Sequence, residues 1–264
     1  MFAKTSGRCV ALTTGLIRST SFAGSPGQGR LPAAWYTASP LAADTEVLVD
    51  VVIVARNCAR ALQRTLERVP RRGIRSVVVV DNGSTDNSGQ VARDLGAVVL
   101  RATKGGYGRA CRRAIQHLHA LPNRPGVVVF IDPLGPEDPA GLPQLLAPLL
   151  SGSAELVLAT SIERQRGGSG VREKAMLGLI GVLYGHNFSE LSGFRAVKYP
   201  ALVALGMSAE GEGWDVEMMV KAVRLGLHMA EVPIARLDET SNTSQRSRGT
   251  GRKLMRILRH ATAR

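Results

Sequence analysis

The sequence has no apolar run approaching the about 20 residues that a bilayer-spanning helix needs, which excludes such a helix within it. It has only three cysteines, Cys9, Cys58 and Cys111, and they are widely separated. No C-x-x-C pair and no disulfide framework can be drawn from them, which points to a reducing compartment. The five histidines form no zinc pattern. His117 and His119 are two residues apart and face different sides of a helix. Aromatic residues make up 4% of the chain, too few for a base-stacking surface, so no specific nucleic-acid partner is expected. Two nucleotide motifs are also missing. The first apolar strand runs into Ala55-Arg56-Asn57-Cys58 rather than G-x-G-x-x-G, and no G-x-x-x-x-G-K-[ST] occurs anywhere.

Acid is missing from both ends. Met1 to Ala43 contains neither Asp nor Glu and is rich in Ser, Thr, Gly and Ala, with Lys4, Arg8, Arg18 and Arg30. That composition suits an organelle transit peptide, an over-long start or a disordered arm, and all three stay open. No acid follows Glu239, whereas Arg246, Arg248, Arg252, Lys253, Arg256, Arg259 and Arg264 do. The formal net charge of +13 calls for a polyanionic partner: nucleic acid, an anionic membrane or phosphorylated small molecules.

The remaining chain reads as one α/β domain, residues 48–240. A basic arm, 1–47, precedes it, and a basic loop with an amphipathic helix, 241–264, follows. Strands are expected at Val49–Val54, Val77–Val80, Ala97–Leu100, Val127–Ile131, Leu156–Ala159 and His228–Ile234. Helices are expected at Ala59–Val69, Ser88–Leu95, Gly108–His119, Leu142–Leu150, Lys174–Tyr184, Val216–Leu225 and Lys253–Ala263. Phe188–Val197 reads as loop and strand, and Ile162–Gly170 and Asp238–Gly251 as polar loops. Strands alternating with helices imply a mostly parallel sheet with helices on both faces.

The most informative segment is Val77-Val78-Val79-Val80-Asp81-Asn82-Gly83-Ser84-Thr85-Asp86. Its four valines make a buried strand that delivers Asp81 to the carboxyl end, where open α/β sheets bind ligands. Gly83 permits a sharp turn, and Ser84, Thr85 or Asp86 can cap the next helix. A second strand ends at Asp132, and between them the turn Gly105-Gly106-Tyr107-Gly108 precedes a helix N-terminus, where a ribose or phosphate group fits.

In order, Val51-Val52-Ile53 with Asn57, Val79 to Asp86, Gly106-Tyr107-Gly108 and Val129-Phe130-Ile131-Asp132 resemble glycosyltransferase family 2. The likeness is to its dolichol- or polyprenol-phosphate mannose or glucose synthase branch. Ser192-Gly193-Phe194-Arg195, Gly213-Trp214-Asp215-Val216-Glu217 and Glu231-Val232-Pro233-Ile234 extend it to about Leu258. The resemblance implies a GT-A fold, a Rossmann-like nucleotide-diphospho-sugar transferase in a single domain. It also implies a nucleotide-sugar donor and a polyprenyl phosphate or other phosphorylated lipid or glycan acceptor. The implied place is the cytoplasm, peripheral at the inner face of an anionic membrane, with organelle targeting by the arm left open.

Residue roles follow from the same resemblance. Asp81 contacts the base; Asn57, Asn82, Gly83 and Asp86 shape its turn, although Asp86 is equally readable as a helix cap. Lys104, Gly106 and Gly108 close on ribose and phosphate, with Lys104 equally readable as a solvated lysine. Asp132 holds Mg²⁺ or Mn²⁺ bridging the diphosphate. Arg195, Arg246 and Arg248 hold phosphate. Glu217 orients the acceptor, braces the basic loop, or pairs with Arg195. The last helix docks on the sheet or adsorbs to membrane.

Two positions depart from the pattern. The D-x-D motif reads Asp132-Pro133-Leu134, and Cys58 stands where an N-E pair has Glu. Cys58 reads as a small half-buried thiol rather than a nucleophile. These departures motivate a rival reading, a catalytically degenerate GT-A domain that binds a nucleotide or a partner.

Overall fold

The computed structural model describes residues 47–102, 105–161, 192–211 and 213–237. The sequence expectations for the N-terminal arm, the helix Lys174–Tyr184, the loops at Ile162–Gly170 and Asp238–Gly251 and the final helix lie outside them. The described elements are β1 (Val49–Ala55), α1 (Ala59–Arg68), β2 (Ser76–Asp81), α2 (Ser88–Asp94), β3 (Val98–Arg101) and α3 (Tyr107–Ala120). They continue with β4 (Val127–Ile131), a 3₁₀ turn (Pro139–Gly141), α4 (Leu142–Leu150), β5 (Leu156–Ser161) and β6 (Arg195–Lys198). The last are α5 (Tyr199–Ala204), α6 (Trp214–Arg224) and β7 (Met229–Ile234).

The seven strands form one sheet in the order β3-β2-β1-β4-β6-β5-β7. Pairing is parallel except at β6, which runs antiparallel to both β4 and β5. The chain builds outward from β1 to β2 and β3, then returns to place β4 on the other side of β1. That reversal is a topological switch point, and a crevice forms outside the carboxyl ends of the strands beside it.

The valine runs exist because this sheet is covered on both faces. In β2, Val78 and Val80 enter one core layer and Val77 and Val79 the other. In β4, Val128 and Phe130 oppose Val127, Val129 and Ile131 in the same way. Residues of α3, α5 and α6 complete the first layer; α1, α2 and α4 complete the second. In α1, Ala61, Leu62, Thr65 and Leu66 face inward, and Pro70 lies just beyond the helix end. Each fully buried Leu or Val contributes about 1.5–3 kcal/mol, so the two layers hold the switch point rigid.

The structure differs from the sequence expectation in two places. The short helix α5 was not expected; Pro200 in its first turn is the start signal. The strand expected within Phe188–Val197 is Arg195–Lys198, a short antiparallel insertion. Pro148 stands inside α4 without ending it early, and α4 has the expected limits.

Candidate functional site

Asp81 ends β2 half-buried, and its Oδ1 accepts a 2.9 Å hydrogen bond from the Ser84 amide. That bond folds the following turn back under the strand end, with Gly83 at φ 72°, a left-handed conformation that favours glycine. Gly89 of α2 makes room for the other oxygen: a Cβ there would lie 2.9 Å from Asp81 Oδ2.

Asn57 follows β1 at φ 48°, a region that Asn tolerates better than most residues. Its Oδ1 accepts from the Thr85 amide at 2.8 Å, and its own amide donates to Ser84 Oγ at 3.2 Å. Asp86 links two helices. Its Oδ2 accepts from the Ala59 amide at the start of α1, and its Oδ1 from the amide and hydroxyl of Ser88 at the start of α2. Burial opposes its charge, but the bonds from Ser88 and Ala59 outweigh it and hold the carboxyl below the usual aspartate range. Ser88 Oγ also accepts from the Cys58 amide at 3.1 Å, and burial pushes the Cys58 thiol pKa up. Cys58 is therefore a buried, protonated thiol. Asn57, Asp81, Gly83 and Asp86 thus form one network across the ends of β1 and β2. Ser88 and Gly89 belong to it too; the sequence reading assigned them no role.

Asn82 is 5% exposed and holds the glycine turn. Its Nδ2 donates to the Gly105 carbonyl at 2.9 Å, and its Oδ1 accepts from the Gly105 amide at 3.3 Å. Gly106 and Gly108 lie against a second loop. A Cβ on Gly106 would stand 2.1 Å from the Glu210 carbonyl oxygen, and one on Gly108 2.0 Å from that of Ala209. The two loops bond directly, Gly108 N–H to Gly211 O and Arg109 N–H to Glu210 O, both at 3.2 Å. Lys104 lies outside the described residues.

Glu217 of α6 holds that second loop. Its carboxylate accepts from the Ser208 amide and hydroxyl and from the Ala209 amide, at 2.6–3.1 Å, and pairs with Lys221 at 2.8 Å. Burial opposes its charge, yet Lys221, Ser208 and Ala209 together hold its pKa below the usual glutamate value. The ion pair between Glu217 and Arg195 that the sequence suggested is not formed. Arg195 pairs with Asp215, because the turn of α6 sends Asp215 toward β6 and Glu217 toward the loop.

Arg195 is 1% exposed, with its guanidinium 5.7 Å from the centre of the Phe130 ring. Burial works against its charge, but the paired Asp215 carboxylate outweighs it and keeps it firmly protonated. Its Nε has no hydrogen-bond partner among the described residues. Burial raises the Tyr107 hydroxyl well above its ordinary pKa, with Cys111 and Asp215 adding to the rise. Arg195 thus joins the starts of α3 and α6 to the middle of the sheet. Asp215 and Tyr107 stand in motifs that carry the family resemblance but have no role there; their spacing to Arg195 carries no local periodicity.

Asp132 stands beyond β4, on the other side of β1 from Asp81. Its Oδ1 accepts from the Leu134 amide at 2.9 Å, a local turn. Leu134 is 50% exposed. The nearby acids are already engaged: Glu137 accepts from Ser192 Oγ at 2.9 Å, and Asp138 pairs with Arg68 and caps the 3₁₀ turn. Arg68 is the main cause holding the Asp138 carboxyl below its usual range. Among the described residues no group of three His, Cys, Asp or Glu side chains could hold a metal by itself. The donor set therefore fits a cation with one protein carboxylate, Asp132, and a ligand's phosphate oxygens for the rest. Arg246 and Arg248 lie outside the described residues. No described helix is long and apolar enough to cross a membrane.

Comparison with known proteins gives a consistent result. The chain is 26% identical over 192 residues to glycosyltransferase AglJ of Haloferax volcanii, covering 70% of this chain and 61% of that one. It thus spans less than two thirds of that relative's length. It is 30% identical over 221 residues to the undecaprenyl-phosphate mannosyltransferase of Micrococcus luteus, covering 76% of this chain and 87% of that one. Among solved structures it matches glucosyl-3-phosphoglycerate synthase from Mycobacterium tuberculosis in complex with Mn²⁺, uridine-diphosphate and phosphoglyceric acid. There the TM-score is 0.61 at 25% identity, over 74% of this chain and 72% of that one. Residues 50–190 match the family model described as glycosyl transferase family 2, and with these likenesses the chain belongs to that family and has its GT-A fold.

Proposed function

We propose that this chain transfers a hexose from a nucleotide-sugar to a phosphorylated acceptor, a polyprenyl phosphate first among them. The observation that carries this is Asp81, a carboxylate held at the switch point by a neutral amide, beside a glycine turn that Asn82 fixes. A carboxylate so placed accepts an imide or amino hydrogen bond from a base. Two relatives favour a phosphate-bearing acceptor: one is named for undecaprenyl phosphate, and the other was solved with phosphoglyceric acid.

In this reading Asn57, Gly83 and Asp86 shape the base-side wall, and Gly106, Gly108 and Lys104 close the ribose and phosphate side. Arg246 and Arg248 hold phosphate. Arg195 and Glu217 act as positioning residues, because their charged groups are engaged with Asp215 and with the Ser208–Ala209 loop. The acceptor phosphate oxygen attacks the anomeric carbon as the bond to the diphosphate breaks. Being anionic already, it needs no dedicated general base. Asp132 would hold the Mg²⁺ or Mn²⁺, which neutralises charge on the leaving diphosphate. A cytoplasmic site at the face of an anionic membrane fits such an acceptor.

Leu134, an exposed apolar side chain beside Asp132, favours a second reading, a domain that binds nucleotide without turnover. One experiment separates the two. The purified chain is given UDP-glucose or GDP-mannose with undecaprenyl phosphate or phosphoglycerate, and nucleoside diphosphate release is followed with Mn²⁺ and with EDTA. Metal-dependent release supports transfer. Release absent in the native chain but created by Leu134→Asp supports the degenerate domain.

A further inference from the structure

Between Arg56 and Arg75 the chain carries seven arginines and one acid, Glu67. Arg60, Arg64 and Arg68 recur every fourth residue along α1, with Arg56 at the same interval before it and Arg72 after it. Arg60, Arg64 and Arg68 thus follow one edge of the helix, and Arg56 and Arg72, which lie outside it, extend the row of cations past its two ends. The arrangement does not help the helix. Like charges at this spacing repel, and α1 has no acid in its first turn, where the helix dipole favours one. Asp138 offsets Arg68 at one point. At the two ends Arg56, Arg60 and Arg72 are exposed, and none of them forms a salt bridge among the described residues. The row starts at the crevice, since Arg56 directly precedes Asn57 of the network around Asp81. Every cation in it is arginine, whose planar fork suits phosphate oxygens.

We infer that the exposed arginines along α1 and at its two ends form a docking surface for an anionic phospholipid bilayer, held through lipid phosphates. The inference rests on the lipid-acceptor part of the proposed function and adds the surface that would bring the crevice to the membrane. A bilayer is favoured over nucleic acid because a broad flat anionic surface can meet cations spread along α1 and beyond both its ends, and the row has no aromatic side chain between its arginines to stack a base.

The test uses the full chain, which retains its basic C-terminal segment. Co-sedimentation is measured with phosphatidylcholine vesicles with and without phosphatidylglycerol. The parent should bind only the anionic vesicles, and less so as salt rises. The triple variant Arg56→Gln, Arg60→Gln, Arg72→Gln should partition about a hundredfold more weakly, at roughly fivefold per charge removed. The matching triple Arg→Lys variant keeps the charge and should retain most of the binding, which separates lost charge from lost fold. Undiminished binding by the Gln variant overturns the inference. So does displacement of the parent from vesicles by millimolar inorganic phosphate, which would mark a free-phosphate site. A greater loss on random duplex DNA than on vesicles overturns it as well. UDP titration of the same proteins keeps the two claims apart: a parent that ignores UDP sinks the proposed function, while the vesicle result is still read on its own.

Discussion

Asp50 and Asp81 sit at opposite ends of neighbouring strands and are held in opposite ways. Asp50, near the amino end of β1, is 0% exposed, pairs with Arg75 and accepts from Ser76 Oγ at 2.8 Å. Asp81, at the carboxyl end of β2, is half-buried and held by one backbone amide, with no salt bridge among the described residues. The first arrangement neutralises a charge and pins β1 to the start of β2. The second fixes a carboxylate in direction and sets no cation of the described residues against it. The same residue type stabilises at one end of the sheet and, in the proposed function, meets a ligand at the other.

Three measurements would break or sharpen that contrast. The largest effect is expected from Asp50→Ala, which leaves Arg75 beside an empty buried position. Breaking a buried pair costs about 3 kcal/mol or more, and with the Arg75 side chain 23% exposed a loss of about 3 kcal/mol is expected, read as a lower urea midpoint. UDP affinity well below the melting temperature should not change; a loss of UDP binding without loss of stability would reverse the roles given to the two ends. Next is Asp81→Asn. Removing a charged hydrogen bond worth about 1.5–3 kcal/mol should weaken UDP binding roughly 10- to 100-fold at nearly constant stability. Unchanged UDP affinity would remove Asp81 from the site.

The smallest effect concerns acid. Glu217 and Asp86 have folded pKa values below their ordinary 4.5 and 3.8. Depressed carboxylates contribute stability that is fully present above the ordinary value and is lost as pH falls through the lower folded one. Glu217→Gln should therefore lower stability by about 1 kcal/mol at neutral pH. Its deficit against the parent should shrink below pH 4.5, where the parent loses the same contribution. A deficit independent of pH would mean that Glu217 acts by shape rather than charge.

Much of the frame was legible in the sequence, for reasons that lie in single segments. The Val77–Val80 run, four β-branched residues followed by a glycine turn, read as a strand buried on both faces and placed Asp81 at its end. The apolar spacing of Leu142–Leu150 outweighed its two prolines. Less was legible where a residue's partner lies far along the chain. Asn82 bonds Gly105, 23 residues away, and Arg195 pairs with Asp215, 20 residues away. Periodicity reports which face a side chain takes, not which acid on a later helix meets it. So the pairing of Arg195 with Glu217 was a reasonable expectation, and two residues of helix rotation defeated it. Gly106 and Gly108 were read toward a ligand, and their close contacts are with the carbonyls of a loop about a hundred residues later.

That last contact ties two distant stretches of sequence into one structural unit. Because the glycine turn and the 208–211 loop meet backbone to backbone, neither can lengthen or gain a side chain at the contact unless the other changes with it. Grafting either loop alone from a relative should therefore fail where grafting both succeeds.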